Sequence, residues 1–134
     1  MINQNDVIAD SLTMNKLYFE SITFNSFGNT APLNGTANVG YKETHTICGD
    51  CIDVKLSSLI EVLDIFKLEL CLVGNFKTNS PRNAEKMLPN AIAIMFPYLR
   101  AQVSLLTAQP NIPCITLKPI NINAFLQQQG KNKD

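Results

Sequence analysis

The stretch NAIAIMFPYLRAQVSLLTAQ, Asn90 to Gln109, decides how the rest of the chain is read. Within it Ile92, Phe96, Leu99, Val103 and Leu106 fall at alternating spacings of four and three, one continuous stripe along an α-helix. Ala91, Met95, Tyr98 and Leu105 widen the apolar surface past that stripe. A helix apolar on more than one side meets two partners, here its own sheet and a second subunit. The side expected to face that subunit carries Met95, Tyr98, Leu99, Gln102 and Leu105. Pro97 lies inside the helix, where it removes one backbone hydrogen bond and bends the axis.

Upstream the period changes from helical to alternating. Leu17 to Phe27 reads as a strand, with Tyr18, Ile22 and Phe24 on one parity and Ser21, Thr23 and Asn25 on the other. The residues Phe27-Gly28-Asn29-Thr30-Ala31-Pro32 break it. Thr36 to Cys48 is a more polar strand. After Gly49-Asp50, Ile52, Val54 and Leu56 alternate with Asp53, Lys55 and Ser57, the pattern of a strand with one wet face. Phe66, Leu68, Leu70 and Leu72 alternate with Lys67 and Glu69, and this strand runs to Phe76. Leu59 to Ile65 is expected to form the hairpin connection between the last two strands. Four strands in succession without helices between them predict an antiparallel β-meander, and strands followed by helices make the class α+β.

Asn79-Ser80-Pro81 reads as a helix start. Beyond the long helix, Pro110, Pro113 and Pro119 forbid helix throughout and predict an extended crossover. Asn121 or Asn123 is expected to cap a short last helix through Ala124, Phe125 and Leu126, stopped at Gly130. The chain is expected to be a single domain over residues 1–134, with 1–14 and 128–134 flexible.

Composition narrows the function classes. Of 134 residues, 46% are hydrophobic and only 16% charged, so a packed core is expected and wholesale disorder is not. A soluble chain with so few charges struggles to cover its own surface and is expected to bury part of it against a partner. Eleven basic and eleven acidic residues cancel, which removes the basic excess of a nucleic-acid binder. Met1 to Asp10 lacks the basic start and apolar stretch of a signal peptide, and the apolar run Ala91 to Phe96 is too short to span a membrane. A cytoplasmic location is therefore expected, with the four cysteines as free thiols.

The residues Phe96-Pro97-Tyr98-Leu99-Arg100 resemble the Phe-Pro-Tyr-Ala-Arg signature in the long helix of SecB chaperones. Pro113, Leu117, Pro119-Ile120-Asn121 and Ala124-Phe125-Leu126 resemble that family's proline-rich crossover and its ending. Leu17 to Phe24 resembles its first strand, and Phe66 to Phe76 its fourth. The resemblance implies a four-stranded antiparallel sheet with a long and a short helix on one face, assembled as a homotetramer, a dimer of dimers. It implies ATP-independent capture of unfolded polypeptide clients, with no cofactor and no metal. The client groove is expected along Ile112, Ile115, Leu117, Ile120, Ile122, Phe125 and Leu126. In export chaperones of the family the SecA translocase docks on acidic positions of the first and fourth strands. Here Ser21 and Asn25 stand at the two first-strand acid positions, while on the fourth strand Glu69 retains its acid and Lys67 replaces an apolar neighbour. Losing charge from an electrostatic docking face weakens steering. A second branch of the family protects antitoxins of toxin–antitoxin modules, and these departures move the expectation toward it.

Other chemistry is weakly signalled. Cys48-Gly49-Asp50-Cys51 is a CxxC with His45 three residues before it, but a closed zinc site needs a fourth ligand and no second CxxC exists. Redox CxxC motifs sit at a helix start, whereas this one lies between two strands. Small apolar side chains near a turn are the expected role, with a zinc- or thiol-dependent structural protein as a remote alternative. His45, the only histidine, is expected to be exposed, and the pairs Glu61–Asp64 and Glu20–Glu69 are expected to be solvated rather than an acid–base couple. No enzyme activity is expected.

Overall fold

A computed structural model describes residues 11–29 and 36–132. Four strands come first: β1 (Leu12–Ser26), β2 (Asn38–Cys48), β3 (Cys51–Val62) and β4 (Phe66–Thr78). Two 3-10 turns, Pro81–Asn83 and Glu85–Met87, lead into the long helix α1 (Leu88–Thr107), and the short helix α2 (Ile122–Asn132) follows the crossover. The expected class is the observed one: a four-stranded antiparallel sheet with one long and one short helix.

The strand order is β1-β4-β3-β2, with every neighbouring pair antiparallel. Three strands form a meander, but β1 lies against β4 instead of β2. The sheet is thus a Greek key and not the simple meander predicted. The two hairpins explain the meander. Gly49 sits at a φ of 62° in the two-residue turn between β2 and β3. Leu63, Asp64 and Ile65 close the β3–β4 turn, where Asp64 takes a φ of 66° and the Ile65 N–H donates to the Val62 carbonyl at 2.9 Å. The expected hairpin connection Leu59–Ile65 is therefore mostly strand. Ile60 and Val62 continue the buried parity of Ile52, Val54 and Leu56 through Ser58, which is tolerated there because its hydroxyl donates to the Gly40 carbonyl at 3.2 Å.

β1 is longer than its alternation suggested and starts at Leu12, inside the end expected to be flexible. Its register with β4 slips at Asn15 and again at Glu20. Each bulge flips the side-chain parity. Leu17, Phe19, Ile22 and Phe24 consequently share the helix side of the sheet, while Tyr18 joins Ser21, Thr23 and Asn25 on the other. Uniform parity had placed Tyr18 with Ile22. Residues 1–10 and 133–134, and Thr30, Ala31 and Pro32 of the expected turn, lie outside the described residues. α2 runs past Gly130 to Asn132, so that glycine does not end it.

The core forms where α1 lies across β3 and β4. Leu56 and Leu72, Ile52 and Phe76, and Ile60 and Leu68 are register partners, and all are buried with Ala91, Ile92, Met95, Leu99 and Val103 of the helix. Full burial of each large apolar side chain stabilises by about 1.5–3 kcal/mol. Gly74 permits the close approach: a Cβ there would lie 2.7 Å from the Phe76 ring and 2.9 Å from Met95 Sδ. Pro81 opens a 3-10 turn, not the expected α-helix, and Pro89 in the first turn of α1 sets the true start because it has no N–H to extend the ladder backward. Asn121 caps α2, accepting the Ala124 N–H on Oδ1 at 3.0 Å.

Candidate functional site

The crossover between α1 and α2 is extended and has no strand partner among the described residues, so those of its backbone groups that face α1 need side-chain partners. One flank of α1 does this. Arg100 Nε donates to the Leu117 carbonyl at 2.9 Å and Ser104 Oγ to the Ile115 carbonyl at 3.1 Å. Thr107 Oγ1 accepts the Ile115 N–H at 2.9 Å and donates to the Val103 carbonyl at 2.8 Å. These anchors hold the crossover away from β2 and leave a groove of about 400 Å³ between them. Ala37, Val39 and Tyr41 wall one side, and Ile115, Leu117, Pro119 and Ile120 the other. β2 is an edge strand, paired with β3 alone among the described residues. The groove therefore runs beside backbone groups without a sheet partner.

α2 closes one end. Phe125 meets the Tyr41 ring edge-on at 6.2 Å, and Tyr41 meets Phe96 at 5.7 Å. Burial raises the Tyr41 pKa above the ordinary phenol value, with nearby Arg100 opposing. Farther along, Gln129 Oε1 accepts the outward N–H of Glu43 from the edge of β2.

The structure brings most of the sequence-predicted groove residues together. Ile115, Leu117 and Ile120 line the groove itself. Ile112, Ile122, Phe125 and Leu126 are half-buried against the core beside it. Leu117 departs from the expectation: only 2% exposed, it is an anchor of the crossover and presents little side chain to a ligand. Of the residues expected to face a second subunit, Met95 and Leu99 are fully buried against the chain's own sheet. The correction follows from helix phase. Met95 and Leu99 share a face with Ile92 and Val103, whereas Tyr98, Gln102 and Leu105 lie on the other side, where Tyr98 is 50% and Leu105 67% exposed. Ile94 extends that outer stripe. Arg100 is the only charged residue in α1.

Ser21, Asn25, Lys67 and Glu69 share the sheet face turned away from the helices, on the paired strands β1 and β4. Around them positive and negative groups neutralise one another. Lys67 pairs with Glu69 at 3.3 Å, Lys55 with Glu20 at 3.2 Å and Lys77 with Asp50 at 3.5 Å. Glu20 thus meets a lysine, and Lys55, through that hydrogen bond, holds its pKa below the usual carboxylate value. A shallow hollow of about 500 Å³ on this face is lined by Ser21, Gly40, Lys42, Ser57, Glu69 and Cys71 among others. It is larger than the groove, but charged Lys42 and Glu69 and the polar Ser21 and Ser57 share its lining with Leu59, whereas the groove is walled mainly by aliphatic side chains.

Sequence reasoning missed one cluster. Glu43 is 2% exposed on the helix side of β2. Its carboxylate contacts His45 Nδ1 at 2.8 Å, while His45 Nε2 faces Glu85 at 3.7 Å. His45 is accordingly half-buried and paired, not exposed as expected. The available signal was spacing: residues two apart on a strand share a face. The carboxylates sit on opposite nitrogens of one ring, an arrangement for positioning the imidazole and not for chelation. Among the described residues no group of three or more metal-ligating side chains comes together.

No protein-family model matches the chain. An uncharacterised protein of Methanocaldococcus jannaschii is 54% identical over 37 residues, a match covering 28% of this chain and 24% of that protein. Among solved structures, a SecB-like chaperone of Mycobacterium tuberculosis in complex with a ChAD peptide from the HigA1 antitoxin superposes with a TM-score of 0.63, covering 82% of this chain and 88% of that one at 15% identity. The fold is SecB-like. A Streptococcus agalactiae protein of unknown function follows with a TM-score of 0.55 and 12% identity, covering 84% of this chain and 100% of that one. At such identities the likeness is one of fold. Among the described residues no helix is long and apolar enough to cross a membrane.

Proposed function

We propose that this protein is an ATP-independent holding chaperone that captures extended, non-native polypeptide in the groove between β2 and the crossover. The observation that carries the reading is an apolar groove lying along the free edge of a strand. An extended client adds main-chain hydrogen bonds at that edge whatever its sequence, and the aliphatic walls accept varied side chains. The outer stripe of α1, Ile94, Tyr98, Gln102 and Leu105, is uncharged and open, and it is the surface through which the chain assembles into a homotetramer.

A dedicated client is the second reading, in which the chaperone protects an antitoxin. Two observations favour it over delivery to the SecA translocase. The similar Mycobacterium tuberculosis chaperone was solved with an antitoxin peptide. The open sheet face carries paired charges of both signs, which give no single-sign field to steer a docking partner. The deciding experiment is suppression of aggregation. A chemically unfolded test protein is diluted into buffer with and without this protein, without ATP, and light scattering is followed. Suppression near stoichiometric ratio supports general holding, and Val39→Asp should abolish it while leaving the circular dichroism unchanged. Absence of suppression across several test proteins removes the general reading and leaves the dedicated one.

A further inference from the structure

The CxxC that the groove leaves unused lies at the tip of the β2–β3 hairpin. Cys48 and Cys51 are register partners on either side of the two-residue turn Gly49-Asp50. Directly opposed residues of an antiparallel pair point to the same side of the sheet, here the side without helices. Cys48 is exposed and Cys51 half-buried, and both are free thiols. The tip is also linked to the neighbouring strand. The Thr78 N–H donates to the Asp50 carbonyl at 2.8 Å, and Lys77 Nζ lies 3.5 Å from Asp50 Oδ2, which ties the turn to the end of β4. The other two cysteines have no such partner. Cys71 on β4 pairs across from Ser57, six residues along β3 from Cys51, about 20 Å away at the rise of a strand, and Cys114 is on the crossover.

We propose that Cys48 and Cys51 form a reversible cross-strand disulfide, a thiol–disulfide exchange site at the tip of the β2–β3 hairpin that reacts with low-molecular-weight disulfides of the oxidised-glutathione type. The Cys48 thiolate attacks one sulfur of the small disulfide, whose S–S bond breaks and releases one thiol, leaving a mixed disulfide on Cys48. Cys51 then gives up its proton and attacks Cys48 Sγ, and the second small thiol leaves. Two protein thiols become one disulfide, one small disulfide becomes two thiols, and the two protons end on the released thiols. No further electron acceptor is needed.

The order of attack follows from the surroundings. The Cys51 thiol donates to Asp50 Oδ1 at 3.5 Å, and that hydrogen bond, with partial burial and the nearby Asp50 and Asp53 charges, holds its pKa above the ordinary thiol value. A thiol held protonated is a poor first nucleophile, which leaves that step to exposed Cys48. Reversibility follows from geometry. Opposed residues keep their Cβ atoms about 4.5–5.5 Å apart. A disulfide prefers about 3.5–4.5 Å. The bridge closes with a small contraction of the turn, and a strained, exposed disulfide belongs to the easily reduced kind. Two thiolates make half of a tetrahedral metal site, and no third ligand joins them among the described residues, so the pair is assigned to exchange and not to metal.

The test uses the full chain incubated with oxidised glutathione, followed by thiol titration and peptide mass mapping. Two of the four thiols should be lost to an internal link between Cys48 and Cys51, and dithiothreitol should restore both. Cys51→Ser should instead retain a glutathione adduct on Cys48. The inference is overturned if Cys48 of the unaltered protein keeps the adduct, if both thiols stay titratable, or if the link joins two chains. Because the mapping is read on the unaltered protein, misfolding of the variant would not blunt it.

Discussion

Thr107→Val isolates the anchoring of the crossover. The substitution keeps the shape of a side chain that is fully buried and removes only the hydroxyl that accepts the Ile115 N–H and donates to the Val103 carbonyl. The amide of Ile115 then has no partner in a part-buried position. Leaving such a donor unsatisfied costs about 1–3 kcal/mol. A central value of about 2 kcal/mol corresponds to a roughly thirtyfold shift in a local opening equilibrium. Arg100 and Ser104 still hold the carbonyls of Leu117 and Ile115, so the loss should be concentrated at the middle of the crossover. Hydrogen exchange read amide by amide is the assay. Ile115 should exchange roughly thirtyfold faster, while the β3 and β4 amides change only by the shift in global stability. If chemical denaturation shows a loss of stability while Ile115 exchange stays within about threefold of the parent, the hydroxyl is a core contact and does not set the groove.

Three further outcomes are expected. Tyr98→Glu combined with Leu105→Glu places charge on the outer stripe of α1 and should reduce the mass in solution measured by light scattering, without loss of helix signal; an unchanged mass would move any interface elsewhere. Gly74→Val should destabilise by about 1–3 kcal/mol or more in urea titration, because the new side chain meets the Phe76 ring and Met95; a neutral result would mean that α1 shifts freely over the sheet. Burial raises the Tyr41 pKa, so the unfolded chain releases its phenolic proton at lower pH than the folded one. The stability this contributes is complete below the unfolded pKa of about 10 and is lost as pH rises through the folded value. Tyr41→Phe should remove that part of the alkaline loss, and parallel stability–pH curves for the two proteins would contradict it.

The elements that could be read directly were those with a uniform period. β4 and the stripe of α1 announce their buried faces because burial on a regular element repeats at fixed spacing. β1 escaped because two bulges change its parity midway, and no single period spans such a strand. Ser57-Ser58 hid the continuity of β3, since a buried serine satisfied by the Gly40 carbonyl looks like a turn in sequence. The pairing of β1 with β4 lay beyond alternation altogether, which says which face is buried and nothing about which neighbour is adjacent. For the site, apolar residues in the crossover were legible and their division was not. Leu117 and Ile115 carry the same chemistry and both line the groove, yet one is almost wholly buried and the other half-buried, and the hydrogen bonds from α1 that hold both of their backbones carry no sequence signature. Arg100 was noticed through a resemblance, but its work is to hold a carbonyl. The Glu43–His45 contact was available from their spacing and needed only the knowledge that β2 turns that face inward.

The position of β1 also bears on how the chain reaches this state. β2, β3 and β4 are joined by tight turns and can zip together locally, whereas β1 must close a loop spanning β2 and β3 before it finds β4. During synthesis β1 emerges first and waits longest. For that interval Leu17, Phe19, Ile22 and Phe24 form an extended apolar segment without a sheet. A nascent copy would thus display the kind of ligand that the finished groove is proposed to hold. Refolding followed by pulsed hydrogen exchange should find the β1 amides protected last, and the yield should fall with concentration unless folded copies are already present to shelter the late strand.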